Sequence, residues 1–435
     1  MARAEPQAAV TENKPVVYLH LGTPKSGTTY LQNILWRNRD ALRKSGVLYP
    51  GAVHQAHFLA AIDQQEIDFR GHRDPRAEGA WDGLVREARE WTGPVVISHE
   101  VFCAASEEKA RAALAALDFA DVHLILTVRD LARQIPAAWQ EDLKNRYVMG
   151  FGDYVDAVRD RGDAEQAGGF WRMQDPADIL RRWAADVDPA RVHVVTVPPS
   201  GAPPTLLWER FAGVTGIDPE WCDLSSVPAN PGLGAVEAAL LRRINENLDR
   251  DAVDWPTYET FVKFRLSERG LAGRPGREPV RLPATERNWV AAWSERLVME
   301  LTERGYAVTG DLSELIPAEP GTANRHPDDI TDTAMFEASL DGIAHLVGEL
   351  GDQRKRLMNR NAELEKRTKA LEEARSRLAE TERRLDEAEK AMIAAYERPV
   401  YRQAAHRVAD RLPAFRPVLR HFADRRDQRS GGAPE

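Results

Sequence analysis

The residues best suited to chemistry lie in one short segment, residues 22–29, which reads Gly-Thr-Pro-Lys-Ser-Gly-Thr-Thr. Its lysine supplies a mobile positive charge, and its serine and threonine hydroxyl groups can donate hydrogen bonds. Gly22 and Gly27 allow the backbone to come close to a bound anion. Residues of these types at this spacing are typical of a loop that binds a phosphate group.

This loop lies between a predicted strand and a predicted helix. Residues 16–21 form a β-branched and aromatic run that ends at a glycine, which predicts a strand. Between residues 28 and 43 the apolar side chains recur at helical spacing. A helix that begins directly after the loop directs its free backbone N–H groups and the positive end of its dipole toward a bound anion.

The strand–helix alternation continues along the chain. Further strands are predicted at residues 95–98, 122–128 and 192–197. Helices are predicted at residues 109–117, 131–145, 204–215, 234–248, 256–267 and 284–304. Such alternation is typical of a parallel sheet between two layers of helices, so the expected fold class is α/β with a three-layer parallel sheet.

The position of the lysine distinguishes this loop from the phosphate-binding loop of nucleotide triphosphatases. In nucleotide triphosphatases the lysine directly follows the last glycine, whereas here Thr28 follows Gly27 and the lysine is at position 25. A lysine at that position would lie over the middle of the loop, where it can contact the bridging oxygen of a shorter donor. A P-loop kinase or NTPase is therefore the alternative, not the preferred function.

The segment from Thr23 to Thr29 resembles the 5′-phosphosulfate-binding loop of the PAPS-dependent sulfotransferase family, of bacterial type, which has a P-loop-like α/β fold. The resemblance implies sulfuryl transfer from 3′-phosphoadenylyl sulfate (PAPS) without a metal, with Lys25 as the catalytic residue that stabilises the leaving oxygen. The donor-binding residues that it implies in this loop are Thr23, Pro24, Lys25, Ser26, Gly27, Thr28 and Thr29.

Residues 127–130, Thr-Val-Arg-Asp, resemble the 3′-phosphate element of the same family, in which an arginine is followed eight residues later by a serine. The resemblance implies that Arg129 binds the 3′-phosphate, a contact for which a guanidinium group is well suited. Ala137 stands where the family has the serine, so Gln134 or Gln140 would have to replace its hydroxyl group. A surface ion pair with Asp130 or with another neighbour is the other interpretation of this arginine.

Transfer to a hydroxyl group needs a base for the proton, and the sequence offers two sets of candidates. Glu100 follows the second strand, and in an extended chain it would point to the same side as Ser98 and away from His99. His54 and His57 lie after the first helix, where some branches of the family carry their base. We prefer Glu100, because each histidine is also explained as an ordinary polar residue of a loop.

The composition excludes several other functions. A net charge of −9 argues against nucleic-acid binding. The two cysteines are too few for a cysteine metal cluster and fit a reducing compartment. With no signal-peptide pattern and no long apolar run, we expect a cytoplasmic protein, which can still be peripheral at the membrane.

The expected acceptor is a hydroxyl group of a carbohydrate, a glycolipid or a small metabolite, since some of the eleven tryptophans can stack on sugar rings.

Changes in composition predict the domains. We expect a disordered tail at residues 1–14, a sulfotransferase domain at 15–315, a linker at 316–332, a coiled coil at 333–397 and a basic amphipathic or disordered tail at 398–435. Leucine recurs every seven residues from Leu350 to Leu385, a heptad pattern that predicts a homodimer or docking to a partner helix. The second apolar seam of the heptads is weak, so a single solvated helix remains an alternative.

The last segment contains nine arginines and no lysine among its apolar residues. It can bind an anionic membrane surface or a partner, or it can be solvated and disordered. The remaining alternative for the whole chain is a coiled-coil scaffold that carries an inactive sulfotransferase-like domain.

Overall fold

The structure, a computed structural model, describes residues 14–68, 74–161, 169–225, 232–318 and 325–430. The predicted N-terminal tail lies outside the described residues, apart from Lys14. The chain divides into two compact units, one that ends at Val347 and one that begins at Gly348.

The first unit is built on one sheet in which all the strands are parallel. Its five strands are β1 (Val16–His20), β2 (Val95–Ser98), β3 (Asp121–Val128), β4 (Val192–Thr196) and β5 (Ala307–Thr309), in the order β2-β1-β3-β4-β5. The predicted parallel α/β sheet is therefore confirmed. The sequence analysis missed β5, which has only three residues and is not fully buried.

The helices of the first unit connect and cover these strands. They are α1 (Thr28–Arg37), α2 (Arg39–Lys44), α3 (Ala56–Gln65), α4 (Ala80–Arg89), α5 (Glu107–Ala116), α6 (Leu131–Lys144), α7 (Phe151–Arg159), α8 (Phe170–Gln174), α9 (Pro176–Trp183), α10 (Leu206–Thr215), α11 (Ala235–Asn247), α12 (Trp255–Tyr258) and α13 (Arg287–Glu303). A π-helix, Glu259–Gly270, directly follows α12 and takes up most of the helix predicted at residues 256–267.

The helix predicted from residue 28 to residue 43 is interrupted at Asn38. The side chain of Asn38 donates to the Ile34 carbonyl group at 2.9 Å and to the Asp223 carbonyl group at 3.2 Å, and it accepts from the Asp223 backbone N–H at 2.9 Å. These bonds fix the asparagine between α1 and a distant loop. The chain therefore begins a second short helix, α2, instead of continuing α1.

Two apolar clusters lie on opposite faces of the sheet, because successive side chains of a strand point to opposite faces. Val17 and Leu19 of β1 belong to the cluster that includes residues of α3, α4, α5 and α9. Tyr18, between them, packs with the cluster formed by α1, α2 and α10. The sheet therefore lies between two layers of helices, as the alternation in the sequence predicts.

Asp328 and Ile330, which follow the last strand of the sheet, pack against helices of the first unit. Asp328 accepts hydrogen bonds from the backbone N–H groups of Phe151 at 3.0 Å and Gly152 at 2.8 Å, at the start of α7. Ile330 is buried in the cluster that surrounds α6 and α11. The described residues of the predicted linker from 325 onward are thus tied to the first unit.

Three helices follow residue 331: α14 (Asp332–Glu397), α15 (Pro399–Arg411) and α16 (Arg416–Ser430). The heptad leucines of α14 are exposed, from Leu350 at 52% to Leu385 at 69%. Among the helices that the structure describes, none combines the length and apolar character needed to cross a bilayer.

Candidate active site

The candidate site lies where the connections of the sheet change direction. β1 and β3 are neighbours, but the chain leaves β1 toward β2 on one side and leaves β3 toward β4 on the other. In open parallel sheets, ligands bind in the crevice at the carboxyl ends of such strands. The glycine loop, which we define as residues 22–27, follows β1, and Arg129 follows β3.

The glycine loop is tied to the end of β3. The backbone N–H of Leu21 donates to the Ile125 carbonyl group at 2.9 Å, and that of Thr23 donates to the Thr127 carbonyl group at 3.1 Å. The Thr23 hydroxyl group donates to the same Thr127 oxygen at 3.2 Å. The pairing of β1 with β3 therefore continues into the loop and fixes where the loop begins.

Three residues of the loop have left-handed backbone conformations: Gly22 with φ 51°, Lys25 with φ 70° and Gly27 with φ 85°. A Cβ atom at Gly27 would overlap the Leu207 side chain, and one at Gly22 would overlap the Thr28 side chain. Glycine is therefore required at both ends of the loop for space as well as for φ. Lys25 is a lysine in a conformation that L-residues adopt rarely, which marks a backbone held by its surroundings.

A buried chain of hydrogen bonds runs under the loop. The Ser26 hydroxyl group donates to the Thr23 carbonyl group at 2.6 Å and lies 2.6 Å from the Thr127 hydroxyl group, which must therefore donate to it. His20 lies 3.1 Å from Thr127 through Nε2 and 2.8 Å from Ser98 through Nδ1. Burial lowers the pKa of His20 to about 3, so the ring is neutral and its Nε2–H donates to Thr127.

The hydroxyl groups of two predicted donor-binding residues take part in this chain of bonds. Thr23 and Ser26 are buried beneath the loop, where their hydroxyl groups bind protein atoms. The predicted loop residues that line the cavity are Pro24, Lys25, Gly27, Thr28 and Thr29. The backbone N–H groups of the first turn of α1 have no partner within the helix, and they lie at this wall.

Lys25 forms an ion pair that the sequence analysis missed. Its Nζ lies 2.6 Å from Oε2 of Glu141, on α6. The other oxygen of Glu141 lies 3.0 Å from Nζ of Lys263, which belongs to the π-helix. Nearby, Lys144 lies 3.5 Å from Glu268. We call these five residues the lysine cluster; it holds three ammonium groups and two carboxylates, an excess of one positive charge.

Within the lysine cluster, each charged side chain shifts the pKa of its neighbours. Burial opposes the charge of Glu141, but Lys25, Lys263 and Lys144 outweigh it and hold the pKa of Glu141 well below its ordinary value. Burial likewise opposes the charge of Lys25, and Glu141 outweighs it, so the pKa of Lys25 is raised. Burial and the charge of Lys25 lower the pKa of Lys144. At neutral pH the ion pair between Lys25 and Glu141 is therefore fully charged.

Arg129 lies at the same wall of the cavity as the glycine loop. Its Nη1 donates to the Lys25 carbonyl group at 3.3 Å, and its buried Nε has no protein partner. Burial lowers the pKa of Arg129 to about 10, so it stays charged at neutral pH. The ion pair considered between Arg129 and Asp130 does not form, because Asp130 pairs with Arg133. Arg129 can therefore still bind an anion.

Gln134 and Gln140, which were considered as replacements for the serine of the family, bind other protein groups. Ala137 lines the cavity and offers no hydrogen-bonding side chain. Gln134 donates to the Pro24 carbonyl group and to Oε1 of Gln174, and Oε1 of Gln140 accepts from the Leu233 backbone N–H at 3.1 Å. Both glutamines therefore hold the walls of the cavity together in this structure.

Glu100 lies on the cavity wall at the end of β2, as predicted from its position. Its carboxylate accepts from Gln32 at 2.9 Å and from the hydroxyl group of Thr28. Burial opposes its charge, but His99 in its protonated form and these two donors outweigh burial, so the pKa of Glu100 is lowered from 4.5. It is an ionised carboxylate in contact with the first turn of α1.

The expectation that His99 points the other way from Ser98 and Glu100 was wrong, because all three residues line the cavity. The chain turns into a short 3₁₀-helix at Glu100–Ala104, and His99 caps it, with Nδ1 accepting from the Val101 backbone N–H at 3.2 Å. Its Nδ1 lies 3.9 Å from Oε2 of Glu100, and both residues line the cavity. Burial lowers the pKa of His99, so the neutral ring carries its proton on Nε2.

The two other histidines differ sharply. His57 is 2% exposed, and its ring stacks on Tyr49. Its Nε2–H donates to the Pro50 carbonyl group at 2.8 Å, and its Nδ1 accepts from the Ser98 backbone N–H at 3.1 Å. Both nitrogens of His57 are thus occupied by the backbone. His54 lines the cavity, and its Nε2 lies 3.3 Å from Oδ1 of Asn33, which leaves Nδ1 as its acceptor.

The cavity that these residues line measures about 2470 Å³. Pockets for single small ligands are typically about 300–1,000 Å³. The cavity therefore has room for a nucleotide-sized ligand together with a second molecule. Among the described residues, no group of three or more histidine, cysteine or acidic side chains is placed to hold a metal ion.

The comparisons with known proteins are sparse. No protein-family model matches the chain, and no curated protein matches it. A solved structure that resembles it is the sulfotransferase from Alicyclobacillus acidocaldarius, with 14% sequence identity, a TM-score of 0.37, and coverage of 67% of this chain and 95% of that chain. A likeness this distant carries no weight for function, so we argue the function from the geometry of the site.

The need for glycine at position 27 gives a first prediction. Gly27→Ala should abolish the stabilisation of the protein by added inorganic sulfate, because the new methyl group would displace the loop from Leu207. The measurement is the melting temperature with and without sulfate. The matched control is Gly46→Ala, which has φ 90° but open space around its Cβ, and which should keep the sulfate response. An unchanged response in Gly27→Ala would contradict this account of the loop.

Proposed function

We propose that the protein is a sulfotransferase that moves a sulfuryl group from PAPS to a hydroxyl group of an acceptor. The observation that carries the proposal is the position of Lys25. It stands in the middle of the glycine loop, beside the start of α1, and its carbonyl group binds Arg129. Two cationic side chains and a helix N-terminus thus line one wall of a large cavity.

Each charged group of the proposed donor would have a binding partner on this wall of the cavity. Its 5′-phosphosulfate would bind the free N–H groups at the start of α1 and the side chain of Thr29, which lines the cavity. Its 3′-phosphate would bind Arg129, whose Nε has no protein partner and whose charge persists at neutral pH. Thr23 and Ser26 would act indirectly, by holding the loop on β3.

The reaction would proceed by displacement at sulfur. The acceptor oxygen forms a bond to sulfur while the bond from sulfur to the bridging oxygen breaks, and adenosine 3′,5′-bisphosphate leaves. Lys25 would stabilise the charge that develops on the bridging oxygen. An ammonium group has three donors, so Lys25 can serve this oxygen while one donor stays on Glu141.

The proton of the acceptor would pass to Glu100. This carboxylate is ionised and lies beside the start of α1, next to the proposed position of the sulfuryl group. His57 and His99 are poorer bases, because a backbone N–H already occupies the lone pair of the neutral ring in each. His54 keeps a free acceptor nitrogen and is the second candidate.

The acceptor would occupy the part of the cavity that the donor leaves open. The volume of about 2470 Å³ favours an acceptor of at least the size of a sugar residue. Aromatic side chains on the cavity wall that are not buried can stack on such a ring; they include the half-buried Phe58 and the exposed Phe264. A carbohydrate or glycolipid hydroxyl group is therefore the proposed acceptor.

The role of Lys25 can be tested by turnover. Lys25→Ala should reduce the transfer of labelled sulfate from PAPS to a panel of carbohydrates and glycolipids by roughly 10–100-fold, since a hydrogen bond to a charged group contributes about 1.5–3 kcal/mol. Lys44→Ala, at an exposed lysine of α2, is the control. If wild type shows no transfer to any acceptor but still binds PAPS, the inactive-scaffold alternative is favoured.

Glu141 should weaken the binding of anions by neutralising Lys25. Glu141→Gln keeps the shape of the side chain and removes its charge, so the affinity for adenosine 3′,5′-bisphosphate should rise by roughly tenfold or more, because one charge about 4 Å away contributes about 1 kcal/mol in water and about 4 kcal/mol at an effective dielectric constant of about 20. Titration calorimetry measures the change. Glu268→Gln, which is farther from Lys25, should act in the same direction but less. Weaker binding in Glu141→Gln would refute this role.

The pH dependence distinguishes the candidate bases. The pKa of Glu100 is lowered from 4.5, so with Glu100 as the base the transfer rate should be flat from about pH 8 to pH 6 and should fall only in more acidic solution. Glu100→Gln should lose this acid limb together with most of the rate. Burial and the charge of Arg37 lower the pKa of His54 from 6.5. An acid limb that survives in Glu100→Gln and disappears in His54→Ala would assign the base to His54 instead.

We also propose that the heptad leucines of α14 join two copies of the chain. All of them are at least half exposed in the single chain, which leaves a long apolar stripe without a partner. Leu364→Glu with Leu378→Glu should convert a dimer to a monomer in analytical ultracentrifugation. Ala362→Glu with Ser376→Glu adds the same charge on another face of the helix and should leave the dimer intact. A monomeric wild type would contradict this proposal.

A further inference from the structure

The end of the chain forms a small helical structure of its own. α15 and α16 pack on one another across the turn Pro413–Phe415, and together we call residues 399–430 the C-terminal hairpin. Phe422 of this hairpin is buried with Ile393 and Tyr396, from the end of α14. The hairpin is thus anchored by a few apolar side chains within the second unit.

Most of the large apolar side chains of the hairpin remain exposed. The exposed fractions are 77% for Val400, 55% for Tyr401, 42% for Val408, 56% for Leu412, 48% for Phe415 and 40% for Val418. Four of these side chains, Tyr401, Val408, Phe415 and Val418, line one open cavity of about 260 Å³. These four side chains therefore form an exposed apolar patch, and a patch of this kind marks a surface that binds a partner.

The same segment concentrates positive charge. Residues 398–435 contain nine arginines and no lysine against four acidic residues, a formal charge of +5 in a chain whose net charge is −9. The arginines whose side chains are described are all exposed; they are Arg398, Arg402, Arg407, Arg411, Arg416 and Arg420. Within the part of the chain that the structure describes, none of the six forms an ion pair with a carboxylate.

We propose that the C-terminal hairpin docks on an anionic membrane surface. Its apolar patch would enter the interface between headgroups and acyl chains, and its arginines would extend to the lipid phosphates. A guanidinium group binds a phosphate through two parallel hydrogen bonds, which favours arginine over lysine on such a surface. Stable attachment to a bilayer needs two signals, and this segment offers both an apolar patch and a basic one.

The charge also argues against a second copy of the hairpin as the occupant. Two copies that met through this patch would bring together two segments of charge +5, and like charges oppose such a contact. A nucleic acid would satisfy the arginines but would leave the apolar patch exposed. An anionic bilayer satisfies both features, so we take it as the partner.

The test is co-sedimentation of the full chain with vesicles of phosphatidylcholine alone and with vesicles that contain 30% phosphatidylglycerol. We expect at least tenfold stronger binding to the anionic vesicles, with most of it lost in 0.5 M NaCl, because salt screens the arginines. Leu412→Asp with Phe415→Asp should abolish binding. Met299→Asp with Phe336→Asp, two exposed apolar residues outside the hairpin, should not.

Two further measurements keep the test decisive. Arg402→Glu with Arg407→Glu should abolish binding, whereas Lys355→Glu with Lys369→Glu, on α14, should preserve it. In the otherwise native chain, Tyr401→Trp should shift its fluorescence to shorter wavelength only with anionic vesicles, which reports insertion without disrupting the patch. Equal binding to both kinds of vesicle, or no binding to either, would overturn the proposal. A change of oligomeric state in Leu412→Asp with Phe415→Asp, without vesicle binding by wild type, would assign the patch to a second copy.

Discussion

The candidate site depends on how the glycine loop is held on the end of β3. Backbone bonds from Leu21 and Thr23 fix its first half, and the buried chain of hydroxyl groups through Ser26 and Thr127 fixes its second half. A neutral His20 completes this chain and sets the direction of every bond in it. With the loop fixed, Lys25 and the start of α1 are held in place before any ligand binds, which is the preorganisation that electrostatic catalysis requires.

The lysine cluster adds an electrostatic balance to this rigid loop. Glu141 and Glu268 neutralise two of its three ammonium groups, so the cavity can keep several cations near one another without a ligand. An incoming anion has to compete with the Glu141 carboxylate for Lys25. In the proposed function this arrangement limits the affinity for the donor and its product, and a product that leaves readily favours turnover.

The sequence alone was enough to predict the parallel sheet apart from β5, because its signals there are local. The apolar runs of β1 to β4 and the spacing of the glycine loop need no distant partner to be interpreted. Glu141 could have been found on α6, where it lies one turn after Ala137 and so on the same face. Lys263 could not, because the π-helix that carries it reads as an ordinary helix, and its place depends on tertiary packing.

The wrong expectation for His99 has an equally physical cause. The expectation for His99 assumed that β2 stays extended beyond Ser98, but the chain turns into a 3₁₀-helix and brings His99 and Glu100 to one wall. Whether a threonine or serine of the glycine loop faces the ligand or the sheet also depends on the partner strand. Thr23 and Ser26 find their partners on β3, about a hundred residues away in the sequence.

We propose that the cavity binds a nucleotide with phosphates at both the 5′ and the 3′ positions. The direct measurement is titration calorimetry of the full chain with adenosine 3′,5′-bisphosphate, adenosine 5′-monophosphate and ATP with Mg²⁺. We predict that the bisphosphate binds most tightly and that removing its 3′-phosphate weakens binding in wild type but not in Arg129→Ala. Tighter binding of ATP with Mg²⁺, or no affinity for the bisphosphate, would contradict the account.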